Sequence, residues 1–250
     1  MVTPLIVSNI YSQSRDKTRR GGRRESERNE AEKSTEIRSS SEISSAIEEL
    51  SVLVLVKPGD NHEAALIPTK PFLSLCYLVL QVLDKIGPTM TVLRQDVQQN
   101  IKRLEMVLES NSSLSSNLVE ILKTETREGN AKKGASCSKA FVWLTRSLDF
   151  ASALLLTLSR DSGINMEEAV QEAYNITLKP WHGWISSAAF RVALKLVPDS
   201  KSFIDLLKAN DESYDTQTEK IKILVSLLAP FLEGIHCILK AYDLNNLKAA

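Results

Sequence analysis

The chain has 250 residues, 43% of them hydrophobic, and equal totals of 31 basic and 31 acidic side chains. That is enough apolar matter for one substantial core, which excludes disorder throughout, and a balanced charge excludes the overall electrostatic footprint of a nucleic-acid binder. Cys76, Cys137 and Cys237 lie far apart and in no metal-ligand spacing, so they are expected as buried free thiols of a reducing compartment.

The first ten residues lack the charged start and uninterrupted apolar stretch of a secretory signal. From Ser12 to Ser41 the sequence is Arg, Glu, Ser, Lys and Asn with almost no aliphatic residue, and includes Arg19-Arg20-Gly21-Gly22-Arg23-Arg24. Such a segment cannot bury enough apolar surface to offset its chain entropy. The division expected is a disordered tail over 1–42 and an ordered domain over 43–250. The longest apolar runs, Leu75 to Val82 and Leu154 to Leu158, fall short of the roughly 20 residues that span a bilayer, which predicts a soluble cytosolic protein.

Ser44 or Ser45 is the expected cap of a first helix, with Leu50, Val52, Leu53 and Val56 as its buried side. Pro71 opens a second, Phe72 to Lys85, apolar on most faces and ended by Gly87-Pro88. The third runs from Thr91 to Glu109. At about 100° per residue, Leu93, Val97, Ile101, Leu104 and Leu108 form its apolar stripe, with Asp96, Asn100 and Arg103 in a row along the edge. A fourth, Leu118 to Arg127, precedes a long fifth from Ser136 to Arg160, on which Lys139, Trp143, Arg146 and Phe150 share one face. Asn165 caps a sixth that is expected to continue to Leu196 with a bend at Pro180, just before Trp181 and His182. Lys201 to Leu207 and Thr218 to Tyr242 complete the set, the last with a kink expected at Pro230. No segment alternates with period 2, so the domain is all-α.

The polar residues exclude more than they select. There is no nucleophile elbow, no His-Glu-x-x-His and no glycine-rich phosphate loop, and His62, His182 and His236 sit on separate elements without ligand spacing. Neither an enzyme, a metal nor a cofactor is expected. What the parts suit is binding: Asp96 and Asn100 can meet hydroxyls and amides, Arg103 and Lys139 an anion, Trp143 a flat face, and His182 can donate a ring N–H.

Asp96-Val-Gln-Gln-Asn100-Ile-Lys-Arg103, Trp143-Leu-Thr-Arg146-Ser-Leu-Asp-Phe150 and Ala173-Tyr174-Asn-Ile-Thr-Leu178-Lys-Pro-Trp-His182-Gly-Trp184 resemble, in order and spacing, the signature segments of the glycolipid transfer protein family. The likeness covers about residues 45–247 and points to the plant accelerated-cell-death branch of sphingolipid transfer proteins. It implies a two-layer all-α sandwich of about eight helices that carries one sphingolipid between membranes. Asp96 and His182 would grip the ceramide amide. Asn100, Arg103, Lys139, Trp143 and Arg146 would face the headgroup. Phe150, Leu178 and Phe190 would line a chain pocket, and Tyr174 and Trp184 would touch the membrane. The implied partners are a sphingolipid and, transiently, a bilayer surface, with a monomer and no nucleic acid. The headgroup stays open between two chemistries. Glycolipid-binding members resemble this chain at Asn100 and Trp143, whereas members that bind ceramide-1-phosphate carry cations there and the branch likeness favours them. The alternative is a sensor or interaction module that holds such a lipid without shuttling it.

Overall fold

The computed structural model describes residues 41–54, 66–110, 116–161, 163–209 and 212–248. The expected tail up to residue 40, Val56 and His62 lie outside them. Among the described residues there are nine α-helices: α1 (Glu42–Val54), α2 (Thr69–Ile86), α3 (Thr91–Ser110), α4 (Leu118–Arg127), α5 (Cys137–Arg160), α6 (Met166–Thr177), α7 (Trp184–Leu194), α8 (Ser200–Leu207) and α9 (Tyr214–Ala241). They pack as a two-layer all-α sandwich. A short 3-10 turn, Pro88–Met90, joins α2 to α3, and the only strand-like feature among the described residues is one isolated bridge between Pro68 and Asn117.

Most helix starts are set by side-chain caps that satisfy amides the helix leaves unpaired. Asn117, Ser136, Asn165, Asp199 and Ser213 each accept a hydrogen bond from a first-turn amide. For α1 the cap is Ser41, whose Oγ accepts from the Ser44 amide, three residues ahead of the expected position. The buried face of α1 is accordingly Ile43, Ala46, Leu50 and Leu53, while Val52 is exposed.

α5 is the central helix, packing against α3, α6 and α9, while α1 fills the space between α2 and α9. Both α5 and α9 are long and apolar enough, by length and composition, to cross a membrane. Here that apolar character serves the core instead: Leu144, Leu148 and Leu158 of α5 and Ile221, Leu228, Ile235 and Leu239 of α9 are buried. α9 continues through Pro230 as one helix. Cys76 and Cys137 are buried free thiols as expected, but Cys237 is exposed, because it follows His236 on the outward side of α9.

The one expected helix that fails is the sixth. Continuing it would require an amide N–H at residue 180 to bond the Ile176 carbonyl, and Pro180 has none; it also disfavours helical geometry at Lys179. The helix therefore stops at Thr177. The amides of Trp181 and His182 both turn back onto the Leu178 carbonyl, at 3.0 and 3.2 Å, and α7 restarts at Trp184 with an extended Gly183 before it. Proline thus sets His182 on a tight turn between two helices rather than on a bent one.

Candidate functional site

A cavity of about 700 Å³ runs between α2, α3, α5 and α7 and also touches α1, α6, α8 and α9. That volume is within the range of small-ligand sites. Its walls are mostly apolar, with Phe150, Leu178 and Phe190 among them, and one stretch is polar: Asp96, Asn100, Arg103, Lys139, Trp143 and His182. Nine of the twelve residues singled out from the sequence, counting these three and six, therefore face one space.

The polar stretch is internally braced. Asn100 is buried, donates from Nδ2 to the Asp96 carbonyl at 3.0 Å and accepts from the Arg103 guanidinium at 3.0 Å. Asp96 itself stands exposed at the rim. Partial desolvation by the surrounding walls raises its carboxyl above the ordinary range, and the Arg103 charge opposes that shift. Lys139, half-buried, has no ion-pair partner among the described residues. The His182 ring lies between Trp143 and Tyr174, with centroid distances of 5.7 and 5.5 Å. Burial, and secondarily the Arg146 charge, lower its pKa, so the ring is neutral at physiological pH. Its Nδ1 is buried without a hydrogen-bond partner among the described residues. A buried polar atom left so costs about 1–3 kcal/mol, which a ligand group would relieve. The site thus offers a carboxylate acceptor, an unpaired imidazole nitrogen, two cations and an indole above an apolar hollow.

Arg146 is not on the cavity. The residues of α5 that line it are Lys139, Trp143, Ser147, Leu148, Phe150, Ala151, Leu154 and Leu155. At about 100° per residue Arg146 sits about 60° round the helix from Trp143, on the side away from Ser147. It is 3% exposed and its guanidinium donates to the carbonyls of Leu247 and Asn245 at 2.6 and 2.8 Å. It also stacks on Trp181 and on Trp143, 4.2 and 4.8 Å from the ring centroids. Burial pushes its pKa down to about 10, which leaves it charged. Its role is to pin the chain end beneath the two indoles.

Tyr174 is likewise corrected. It is 3% exposed, stacked on Phe190 at 3.5 Å between ring centroids, and its hydroxyl donates to Ser187 Oγ at 3.2 Å; a ring so enclosed cannot touch a membrane, and it backs the cavity wall instead. Trp184 by contrast is 81% exposed, with Ile185, Val192 and Ile176 exposed nearby in sequence. Ser147, and the α1 and α2 wall residues such as Ile43, Leu78 and Val82, escape sequence reasoning. Their apolar period is identical to that of a filled core.

Comparison with known proteins places this arrangement. The profile of the glycolipid transfer protein family matches residues 67–209. Glycolipid transfer protein 2 of Arabidopsis thaliana is 56% identical over 208 residues, covering 83% of this chain and 93% of its own. Among solved structures, the FAPP2 domain described as selecting simple glycosphingolipids superposes with a TM-score of 0.72 at 23% identity, over 84% of this chain and 100% of that one. The Arabidopsis accelerated-cell-death 11 variant D60N, complexed with ceramide-1-phosphate, gives 0.71 at 16% identity, over 82% and 98%. The structural likenesses are of fold; the sequence likeness is to a plant glycolipid transfer protein. With its profile match, its relative at more than half identity and its fold in agreement, the chain belongs to the glycolipid transfer protein family.

Proposed function

We propose that this protein extracts single sphingolipids from one membrane and delivers them to another, with a glycosylceramide as cargo. The observation that carries the reading is the meeting of the polar row with the 700 Å³ apolar cavity, with His182 Nδ1 unpaired beside it. A neutral imidazole and a carboxylate can serve the two halves of one ceramide amide, while the chains occupy the hollow. Burying chains gains about 0.8 kcal/mol per CH₂, close to what leaving the bilayer costs, and transfer depends on that near-balance. The relative at 56% identity is a glycolipid transfer protein, and the ring and amide at Trp143 and Asn100 suit a sugar.

The carrier in this reading is a monomer that takes one lipid through the cytosol. The exposed Trp184, Ile185 and Val192 on α7 supply a face for brief contact with a bilayer, where an indole is well placed at the interface. The reading is of binding: Ser147, a hydroxyl on the cavity, donates to the Trp143 carbonyl at 3.0 Å, and among the described residues no base is bonded to it.

Vesicle-to-vesicle assay of a glycosylceramide is the test. Protein-dependent transport is expected; absence of transport for every ceramide-based lipid refutes the reading, and stable binding without transport points to a sensor. Trp143→Arg is expected to move preference from sugar towards phosphate headgroups by about tenfold, near 1.4 kcal/mol. Unchanged selectivity in paired transfer assays would show Trp143 to be packing alone.

A further inference from the structure

Away from the polar row the cavity meets one more charged residue. Glu42, the first residue of α1, lines it with a side chain only 11% exposed. Its carboxylate pairs with Lys85 Nζ at 2.7 Å, and the same Nζ donates to the Leu206 carbonyl at 3.1 Å. The start of α1, the end of α2 and the end of α8 are thereby tied at one point. The cavity residues nearest in sequence, Ile43, Ile86 and Leu207, are apolar.

The position of this tie follows from helix direction. α3 and α5 run antiparallel, since the Cys137 thiol at the start of α5 reaches the Arg103 carbonyl towards the end of α3 at 3.5 Å. The headgroup side is therefore the end holding Arg103 and Lys139. Lys85 ends α2 and leads, through Pro88–Met90, directly into the start of α3. Helix rise sets that start about 18 Å from Arg103. Along α5 the lining residues extend from Lys139 to Leu155, about 24 Å. The ion pair stands at the far end of this path.

We infer that the Glu42–Lys85 ion pair is the end stop of the chain pocket and sets the longest lipid chain the protein carries; this rests on the sphingolipid reading above. An apolar wall yields to a longer chain by changing rotamers. A charged wall yields less readily: a methyl end pressed against Glu42 separates it from Lys85 or desolvates it further, and a mostly buried carboxylate without its partner is unfavourable, although Lys85, with its side chain 39% exposed, keeps its own water. The third contact, to the Leu206 carbonyl, removes the freedom of Lys85 to retreat. If the pair only joined α1 to α2, chain length would be indifferent to it.

The test compares transfer of one glycosylceramide headgroup carrying acyl chains from octanoyl to tetracosanoyl. It uses the full chain and two double variants: Glu42→Ala with Lys85→Ala, and the volume-conserving Glu42→Gln with Lys85→Met. Removing both charges together avoids stranding one. Rates for the longest chains relative to palmitoyl are expected to rise about tenfold in the alanine pair, as two or so more methylenes become buried, and by less in the volume-conserving pair. Unchanged profiles in a variant with wild-type circular dichroism and melting temperature would overturn the end stop while leaving the carrier reading intact. Failure of the wild type to move any chain length would overturn both.

Discussion

Transfer by Asp96→Val is expected to fall about 100-fold, with helical content unchanged. A hydrogen bond to a charged group contributes about 1.5–3 kcal/mol, and 2.8 kcal/mol is two decades. Asp96 stands exposed at the cavity rim and none of the hydrogen bonds described within the row uses its carboxylate; Asn100 binds its backbone carbonyl instead. Its loss therefore removes the proposed ligand contact and little else, since surface changes of this kind usually stay within about 0.5 kcal/mol. The companion variant His182→Leu separates function from stability more sharply. The imidazole Nδ1 is buried and unpaired, so leucine relieves a desolvated polar atom. Transfer is expected to collapse while the melting temperature holds or rises by about 2–4 °C, the equivalent of about 1 kcal/mol in a domain of this size. Such opposed movements are typical where activity is bought with local instability. Normal transfer by either variant would remove the amide-grip assignment.

Arg146→Ala should behave in the opposite way, as a stability mutant with a secondary loss of function. The side chain holds two backbone carbonyls near the chain end and fills the space beneath Trp143 and Trp181. Two charge-assisted bonds, partly recovered by water once the chain end frays, together with the stacking, suggest about 3 kcal/mol. That corresponds to a fall of about 6–12 °C in melting temperature. Arg146→Lys should recover little, because a single ammonium cannot reproduce a planar fork lying against two indoles. Denaturation of both variants checks this, and a loss below about 1 kcal/mol for alanine would show that the chain end is held by other contacts.

How much of this was legible beforehand divides along physical lines. Periodicity and caps disclosed the helices, and α4 matched to the residue, because Asn117 before an apolar stripe leaves little choice of register. The polar row on α3 was legible since a single helix fixes the angles between Asp96, Asn100 and Arg103. Arg146 was misplaced for a related reason: a helical wheel assigns a face, but it does not say which neighbour occupies the next sector, here the chain end about a hundred residues later. Tyr174 was misplaced because an amphipathic ring suits an interface and a core equally, and only the stack on Phe190 decides. Pro180 was seen as a bend, yet a proline followed closely by Gly183 leaves too few bonded amides for the helix to persist.

The break after Thr177 has a consequence for motion. α7 contains no buried residue and, of the other helices, packs chiefly against α6, although Ser186, Ala189, Phe190 and Ala193 form part of the cavity wall. Swinging it outward would part Phe190 from Tyr174 and open the cavity, but would bury no new charge and break none of the α5 core. Its opening free energy should therefore sit near the low end of the range from fraying segments to global unfolding, with amides of 184–194 exchanging well before those of α5. On the proposed reading, a bilayer that engaged the exposed Trp184 would engage the least firmly held wall of the hollow, so that docking and opening would share one helix.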